Sequence, residues 1–371
     1  MQRTSLCLSS AVRLIWATAA TVLALALVVC APFTEAVAAA TCTATGFVRD
    51  NINLTAALIN PHGTVSGDVD ATGCNIGIYY VGGTGRVNSA NVHSANYFGI
   101  VNNGADVNIE NSVVSDIGET PLNGTQHGVA IYFVFGSNAS GNIQGNYIYN
   151  YQKGGIVVNG PTATSNIQQN TVIGQGPVNY IAQNGIQAGY GATTQIQNNL
   201  VIGNSYTGPN EAASGGIILV GGPCYDGAAT TNTRVQNNIA LGNDIGVWFS
   251  NLDGNCNPLS TPTRNTAQNN TLVNNAINNT TGDGPSMGYQ AGIADQGNMD
   301  VIRNNDTCGL GYTPPGNATA ALFAIDVTAT NNPKVQDNTV CSRSAGGDGD
   351  HGGEGHHKSR PSHGWRAQDH R

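Results

Sequence analysis

Charged side chains are scarce in this chain of 371 residues, and their scarcity excludes several classes of protein. Asp, Glu, Lys and Arg make up 10% of the sequence, whereas about a quarter is usual in globular proteins. The formal net charge is −8, and no stretch gathers Lys or Arg into a stripe that could bind phosphates. We therefore expect no nucleic acid among the partners of this protein.

Sustained helical periodicity is also missing, and after the first forty residues no apolar run is long enough to span a bilayer. At the N-terminus, Arg3 and Arg13 precede an uncharged apolar segment at 14–31, and the small residues 38–40 follow it. This order is typical of a removed signal peptide, and a retained membrane anchor is the alternative. We expect a secreted, extracellular protein with no membrane contact once residues 1–40 are removed.

Two repeated patterns dominate the rest of the sequence. An Asn followed by a short, mostly apolar run recurs at Asn111, Asn146, Asn170, Asn199, Asn238, Asn270, Asn305 and Asn338. A Gly followed by Ile or Val recurs at Gly99, Gly128, Gly155, Gly185, Gly216, Gly246 and Gly292. Most steps in the Gly pattern are close to thirty residues, which is the size of one coil of a solenoid. We call these two patterns the Asn column and the Gly column.

The short β-branched runs between Gly and Asn residues predict strands. A unit of three short strands cannot bury its apolar side alone, so successive units stack on one core. The sequence therefore predicts an all-β parallel β-helix solenoid of about nine coils. Asn side chains at equivalent places would lie about 4.8 Å apart and hydrogen-bond along a ladder. An ordinary turn-forming role for each Asn is the alternative.

Six cysteines remain after removal of the signal segment, and their spacing matches the repeat. Pairing neighbours along the chain predicts Cys42–Cys74, Cys224–Cys256 and Cys308–Cys341, with partners about one coil apart. Equivalent positions on adjacent coils lie within the usual Cα separation of a disulfide. An even number of cysteines also fits an exported protein.

Two segments carry a resemblance to known proteins: Gly124-Thr-Gln-His-Gly-Val-Ala-Ile-Tyr132 and Tyr151-Gln-Lys-Gly-Gly-Ile-Val-Val158. They resemble a functionally uncharacterised group of secreted bacterial proteins among the right-handed β-helix proteins of the pectate lyase-like superfamily. The resemblance covers roughly residues 46–341 and implies a right-handed solenoid. The superfamily includes polysaccharide lyases, glycoside hydrolases, uronate epimerases and binding or structural proteins. The motifs of polygalacturonases, pectate lyases and alginate epimerases are missing from this chain.

The sequence predicts four regions that differ in composition. They are a signal peptide at 1–40, an N-terminal cap at 41–75, the parallel β-helix domain at 76–341, and a disordered Gly/His-rich tail at 342–371.

Candidate site residues lie on the arc that runs from the Asn column to the Gly column, because loop length varies most there. The predicted catalytic residues are Lys153, Asp116, Glu119 and His127. The predicted ligand-binding residues are Tyr151, Tyr180, Asn184, Glu211 and Asp244. Counting two places back from the Gly column gives a row of Tyr97, Gln126, Lys153, Gln183, Ser214 and Asp244, with His127 and Asn184 in the next row.

These residue types suit carbohydrate chemistry. Tyr faces stack on sugar rings, amides bond hydroxyl groups, and a Lys neutralises a uronate or acts as a base. Asp116 and Glu119 would form an acid/base pair or, alternatively, bind calcium, since oxygen ligands suit that ion. No cofactor is otherwise predicted. We expect Lys153 at the floor of a notch between longer loops. The alternative for His127 is a structural hydrogen bond beside the Gly turn, and for each other residue it is an exposed polar loop position.

Two functions of different classes remain open from the sequence. The first is an enzyme, a polysaccharide lyase or a glycoside hydrolase, acting on an acidic or plant-type polysaccharide. The second is a non-catalytic extracellular protein that binds cell-surface glycans, adheres or serves as structure. In both cases the expected partner is a polysaccharide or glycan, and the expected oligomeric state is a monomer.

Overall fold

Parallel strands stacked in two long sheets form the described part of the chain. The structure, a computed structural model, describes residues 41–208, 212–274, 288–309, 320–328 and 333–342. Most coils add one strand to sheet A and two short strands to sheet B. Within the described ranges the one helical element is a single 3₁₀ turn, Pro223–Tyr225. The predicted all-β parallel β-helix is confirmed.

Sheet A begins with an antiparallel hairpin and continues as a parallel stack. In spatial order its strands are β1 (Thr43–Arg49), β2 (Ile52–Ile59), β4 (Ile76–Val81), β6 (Phe98–Asn103), β9 (Val129–Phe133), β12 (Gly154–Asn159), β15 (Asn184–Gly189), β18 (Gly215–Gly221), β21 (Ile245–Asn251), β24 (Gly288–Asp295) and β27 (Ala320–Val327).

Sheet B contains two parallel rows that share the long strand β5. The first row is β3 (Thr64–Asp70), β5 (Thr84–His93), β7 (Asp106–Glu110), β10 (Ser140–Gln144), β13 (Thr164–Gln168), β16 (Thr193–Gln197), β19 (Arg234–Gln236), β22 (Thr266–Gln268), β25 (Val301–Arg303) and β28 (Lys334–Gln336). The second row is β8 (Val113–Ile117), β11 (Tyr147–Tyr151), β14 (Thr171–Ile173), β17 (Leu200–Ile202), β20 (Ile239–Leu241), β23 (Thr271–Asn274), β26 (Asp306–Gly309) and β29 (Thr339–Ser342).

The Asn column forms the predicted ladder at the turn between the two rows of sheet B. In each step the backbone N–H and the side-chain Nδ2 of one Asn donate to Oδ1 of the next, as from Asn170 to Asn199 at 3.0 Å each. The Nδ2 group also donates to a backbone carbonyl of the preceding coil, as from Asn199 to Ile167. The ladder runs from Asn146 to Asn338. Buried amides that satisfy each other in this way explain why a poor strand residue recurs in one register.

The first position assigned to the Asn column was wrong. The residue aligned with Asn146 is Ser112, which donates its backbone N–H to Asn146 Oδ1. Asn111 lies one residue earlier, in the left-handed region at φ 47°. A short polar side chain tolerates that conformation, so Asn111 serves the turn and Ser112 the ladder.

The Gly column lies on sheet A, in a place with no room for a side chain. A Cβ added to Gly155 would lie 2.4 Å from Val172 Cγ1 and 2.6 Å from the carbonyl oxygen of Gly185. Gly128 was wrongly placed in this column, because strand pairing aligns Ala130 with Gly99 and Gly155. The predicted row that paired Gln126 with Lys153 and His127 with Asn184 is therefore shifted by two residues.

One continuous apolar core fills the space between the sheets. Ile and Val side chains alternate into it from each strand, as at Ile131, Ile156, Ile186 and Ile217 along sheet A. Disulfides join Cys42 to Cys74 and Cys224 to Cys256, with Cα separations of 5.3 and 5.0 Å. Both predicted pairings are confirmed, and they indicate an oxidising compartment. Cys308 and Cys341 are direct partners in the register of β26 and β29, and their bridge stays a prediction.

Residues 1–40, predicted as a signal peptide, lie outside the described residues, as does the predicted tail beyond residue 342.

Candidate functional site

The loop at 118–128, between β8 and β9, carries two ionisable side chains in direct contact, Glu119 and His127. Gln152, which is completely buried in the next coil, holds this loop in place. Its Oε1 accepts hydrogen bonds from the backbone N–H groups of Glu119 and Asn123, and its Nε2 donates to the carbonyl of Thr125. A buried amide with all its bonds satisfied makes a rigid support, so Glu119 and His127 stand on a fixed loop.

His127 and Glu119 are in direct contact. The Nε2 atom of His127 lies 2.7 Å from Glu119 Oε1 and 3.2 Å from Thr125 Oγ1. The imidazole stacks on the ring of Tyr97, with 3.8 Å between the centroids and 21° between the planes. The His127 side chain is 8% exposed and that of Glu119 is 32% exposed. The carboxylate is therefore open to a ligand while the imidazole is held behind it.

A second carboxylate reaches the same imidazole from another part of the chain. Asp50, in the turn of the β1–β2 hairpin, places Oδ2 3.8 Å from His127 Nδ1. Its side chain is 66% exposed. Burial raises the pKa of Tyr97, and the negative charges of Asp50 and Glu119 and the hydrogen bond to Asp50 act in the same direction. Tyr97 therefore stays protonated and donates to Asp50. We call Asp50, Tyr97, Glu119 and His127 the His127 cluster.

The sequence predicted only part of this cluster. Glu119 and His127 were predicted as catalytic because both lie on the arc of variable loops, but no contact between them was predicted. Tyr97 stood in the predicted row without an assigned role. Asp50 was missed because its contact depends on the hairpin turn, where Asp50 and Asn51 both have positive φ. The one available signal was the Asp-Asn pair between two apolar runs, which is typical of a tight hairpin turn.

Asp116 is separate from the His127 cluster. It is exposed, accepts a hydrogen bond from Ser115 Oγ at 2.8 Å, and accepts another from Asn150 Nδ2. The predicted pairing of Asp116 with Glu119 has no contact to support it, because the two carboxylates bind different neighbours. In the described ranges no three His, Cys, Asp or Glu side chains form a group that could hold a metal ion.

Lys153 and Tyr151 point into the protein. The Lys153 side chain is completely buried, and Nζ donates to the carbonyl of Ala182 at 2.8 Å. Tyr151 belongs to the apolar core, and its hydroxyl donates to Asn204 Oδ1 at 2.6 Å. Lys153 was expected at the floor of an open notch and Tyr151 on a ligand-binding surface. Both expectations were wrong about exposure, because neighbouring coils and loops cover these side chains.

Asn184 and Asp244 are also buried and serve the fold. Asn184 Oδ1 accepts the backbone N–H of Gly215 at 3.1 Å. Asp244 accepts bonds from Ser205 Oγ, from the N–H of Tyr206 and from the N–H of Ser214. Burial raises the pKa of Asp244 to about 7, and these three bonds oppose the rise. The Asp244 carboxylate thus fixes both ends of the loop before β18.

Two further predicted residues complete the set. Tyr180 is half-buried, and its hydroxyl donates to Gln175 Oε1 at 3.0 Å. Burial raises its pKa, so the hydroxyl remains protonated. Glu211 lies outside the described residues.

Comparison of the sequence with protein-family models and with curated proteins found no match to either. In the described ranges no helix has the length and apolar character needed to cross a membrane.

Proposed function

We propose that this chain is an extracellular enzyme that hydrolyses glycosidic bonds of a polysaccharide at the His127 cluster. One observation carries the proposal: two partly exposed carboxylates, Glu119 and Asp50, flank one buried imidazole at distances of 2.7 and 3.8 Å. Most glycoside hydrolases need a pair of carboxyl groups on either side of the scissile bond. His127 hydrogen-bonds Glu119 and Tyr97 hydrogen-bonds Asp50, so both carboxyl groups are held in place.

We assign the two carboxyl groups by exposure and contacts. Glu119 is the general acid, which protonates the leaving glycosidic oxygen, and His127 Nε2, 2.7 Å from its Oε1, orients it. Asp50 is the base or nucleophile, which either activates a water molecule or attacks the sugar carbon. The Tyr97 hydroxyl orients Asp50. In this assignment His127 and Tyr97 are positioning residues.

Hydrolysis is preferred over lyase chemistry for a physical reason. Elimination from a uronate needs a cation to neutralise the sugar carboxylate and a base to remove a proton. Lys153, which was the predicted cation, is buried, and the exposed carboxylate of Asp50 repels an acidic polymer. We therefore propose a neutral substrate in place of the acidic one that the sequence suggested.

The remaining features are proposed together with the activity. They are membership of the pectate lyase-like superfamily, a right-handed solenoid of about nine coils, and secretion through the segment at 1–40. A monomer whose partner is a polysaccharide completes the proposal. The quoted resemblance and the oxidising compartment indicated by the disulfides support it.

The test is release of reducing ends from a panel of neutral and acidic polysaccharides. Glu119→Gln and Asp50→Asn should each lower kcat at least about a hundredfold, since each removes one proton-transfer group. Asp116→Asn is the matched control, an exposed carboxylate in a different contact, and should leave the rate unchanged. Full activity in both cluster variants would refute the proposal. Products that absorb as unsaturated sugars would favour the lyase instead.

The second candidate function, a non-catalytic glycan-binding protein, is favoured by the exposed tyrosines Tyr147 and Tyr149. It predicts binding to polysaccharide with no product in any assay.

A further inference from the structure

The outer surface of the second row of sheet B is apolar although it faces solvent. Alternate side chains of this row point inward, as Ile148, Val172 and Val201 do with no exposure. The others form two lines along the stack. One line joins Tyr147, Thr171, Leu200 and Ile239, and the other joins Tyr149, Ile173, Ile202 and Leu241. We call these two lines the outer strip.

Several outer-strip side chains are strongly exposed. Tyr147, Tyr149 and Ile239 are 45%, 36% and 44% exposed. The two tyrosine rings lie 5.3 Å apart at an angle of 49°. A contiguous exposed apolar area on a stable protein is a marker of an interaction site.

Charge is missing from the outer strip. From β8 to β23 neither line contains Asp, Glu, Lys or Arg, since the partners of Tyr147 and Tyr149 on β8 are Val113 and Ser115, and the far end is Thr271 and Val273. A charged partner would lose hydration against this surface and gain no ion pair. The first line continues beyond β23 into Asp306, so the uncharged stretch from β8 to β23 is the part that favours a neutral occupant.

A line of amides runs beside the outer strip, across the turn of the Asn column. Gln168 donates to Gln144, Gln197 to Gln168, and Gln236 to Gln197, at 2.8 to 3.0 Å. Each primary amide has two N–H groups and two lone pairs, so each keeps one donor and one acceptor after these bonds. The surface thus combines aromatic and apolar faces with a regular series of groups that can bind hydroxyls.

The outer strip also leads toward the His127 cluster. Ser115, beside Tyr149, lies on β8, and Glu119 follows it by four residues in the next loop. At about 3.3 Å per residue the backbone between them spans at most about 13 Å. A polymer lying across the tyrosines could therefore extend to Glu119.

We propose that the outer strip is a binding surface for an uncharged polysaccharide, and that it holds the polymer whose bonds the His127 cluster hydrolyses. Only the second part of this proposal, that the bound polymer is the one hydrolysed at the His127 cluster, rests on the proposed function. Tyrosine rings stack on the apolar faces of pyranose rings, while the amide line binds the hydroxyls at their edges.

The test measures depletion of the full chain from suspensions of microcrystalline cellulose and of chitin, with soluble polygalacturonate as the charged probe. Tyr147→Ala/Tyr149→Ala should weaken binding to at least one powder by about tenfold or more. Tyr147→Phe/Tyr149→Phe should restore it, because the rings remain. Phe135→Ala is the matched control, an exposed aromatic residue outside the strip, and should bind like the wild type.

Two variants distinguish a failure of the outer-strip proposal from a failure of the proposed function. Glu119→Gln should bind the powders normally, and the double Ala variant should still cleave short soluble oligosaccharides if the His127 cluster is catalytic. Normal binding by the double Ala variant overturns the outer-strip proposal, as does binding of the wild type to neither powder. Light scattering tests whether the occupant is a second copy of the chain. A dimeric wild type together with a folded, monomeric Ile239→Ser variant would also overturn the outer-strip proposal.

Discussion

Asp244, Asp295 and Asp300 are completely buried, and each is held by hydrogen bonds from backbone or hydroxyl donors. For Asp244 these donors account for both oxygens. Asp295 and Asp300 differ, because each uses only Oδ1 for such bonds. Oδ1 of Asp295 accepts from the N–H of Gly297, and Oδ1 of Asp300 accepts from Thr263 and Asn265.

The remaining oxygens of Asp295 and Asp300 have no further hydrogen-bond partner among the described residues. Asp300 and Asp326 are the two carboxyl groups that act on Asp295, and a hydrogen bond between Asp295 and Asp300 requires a proton. Burial raises the pKa of Asp295 well above 3.8, and the charge of Asp300 raises it further. Burial also raises the pKa of Asp300, to about 6. The folded protein therefore binds protons here that the unfolded chain releases near pH 4.

We predict that Asp295→Asn makes the protein more stable at neutral pH. A raised pKa in the folded state contributes stability at low pH, and this contribution is lost as the pH rises through that pKa. The Asn side chain would accept from Gly297 and donate to Oδ2 of Asp300, so no proton is needed. We expect a gain of about 1–3 kcal/mol in the free energy of unfolding at pH 8 and a smaller gain at pH 4.5.

Urea unfolding at the two pH values measures this effect. Asp306→Asn is the control, because that carboxylate is exposed on a neighbouring strand and should change stability by less than about 0.5 kcal/mol. Equal effects of Asp295→Asn at both pH values would show that the pair carries no shared proton.

At the scale of elements, the Asn ladder links the coils through side chains as well as through strands. Asn199 accepts two hydrogen bonds from Asn170 and donates to Asn238 and to the carbonyl of Ile167. All these groups are buried. Removal of one rung therefore leaves donors and acceptors unpaired in the two adjacent coils.

We predict that Asn199→Ala destabilises the protein by about 2–4 kcal/mol, since buried groups left unsatisfied cost about 1–3 kcal/mol each. Thermal or urea unfolding measures it. Gln197→Ala is the matched control in the same coil, since Gln197 is half-buried and belongs to the outer amide line. It should cost less than about 1 kcal/mol. A similar loss in both variants would mean that the ladder is only one polar contact among many.

Repetition made these elements predictable, and irregular loops limited the rest. The ladder from Asn146 to Asn338 and the sheet A glycines followed from residue type at a fixed period. The register failed at Asn111 and Gly128, because Asn111 lies one residue before the aligned Ser112 and Gly128 lies two residues before the aligned Ala130. The repeat period does not determine whether the side chain of Lys153 is buried or exposed, because that depends on which neighbouring segment covers it.

The candidate site shows the same limit. His127 and Glu119 are eight residues apart in one loop, so their contact was within reach of sequence reasoning. Asp50 joins them only because an antiparallel hairpin is added to the end of a parallel sheet. A repeat-based alignment carries no information about such an addition, which has no counterpart in the other coils.

At the scale of the whole molecule, disulfides join neighbouring coils at positions about one repeat apart. Cys42 precedes β1 and Cys74 precedes β4, so their bridge ties the hairpin that carries Asp50 to the first coils. Cys224 and Cys256 join loops that follow successive sheet A strands. Each bridge closes a loop with a sequence separation of 32 residues. In the chain-entropy description such a loop contributes about 3 kcal/mol.

We predict that Cys42→Ser/Cys74→Ser lowers activity more than Cys224→Ser/Cys256→Ser does. Both double variants lose a bridge of equal span, so their thermal midpoints should fall by similar amounts. Only the first frees the hairpin turn that places Asp50 beside His127, and small displacements of a catalytic group are costly. The measurement is kcat for the polysaccharide that the wild type hydrolyses, at a temperature where both variants remain folded by circular dichroism. Equal kcat in the two variants would remove Asp50 from the catalytic assignment.

Peptide mapping without reduction should recover Cys308 joined to Cys341, because these residues are direct partners in the register of β26 and β29. A peptide joining Cys308 to Cys256 would contradict the coil-to-coil pairing rule.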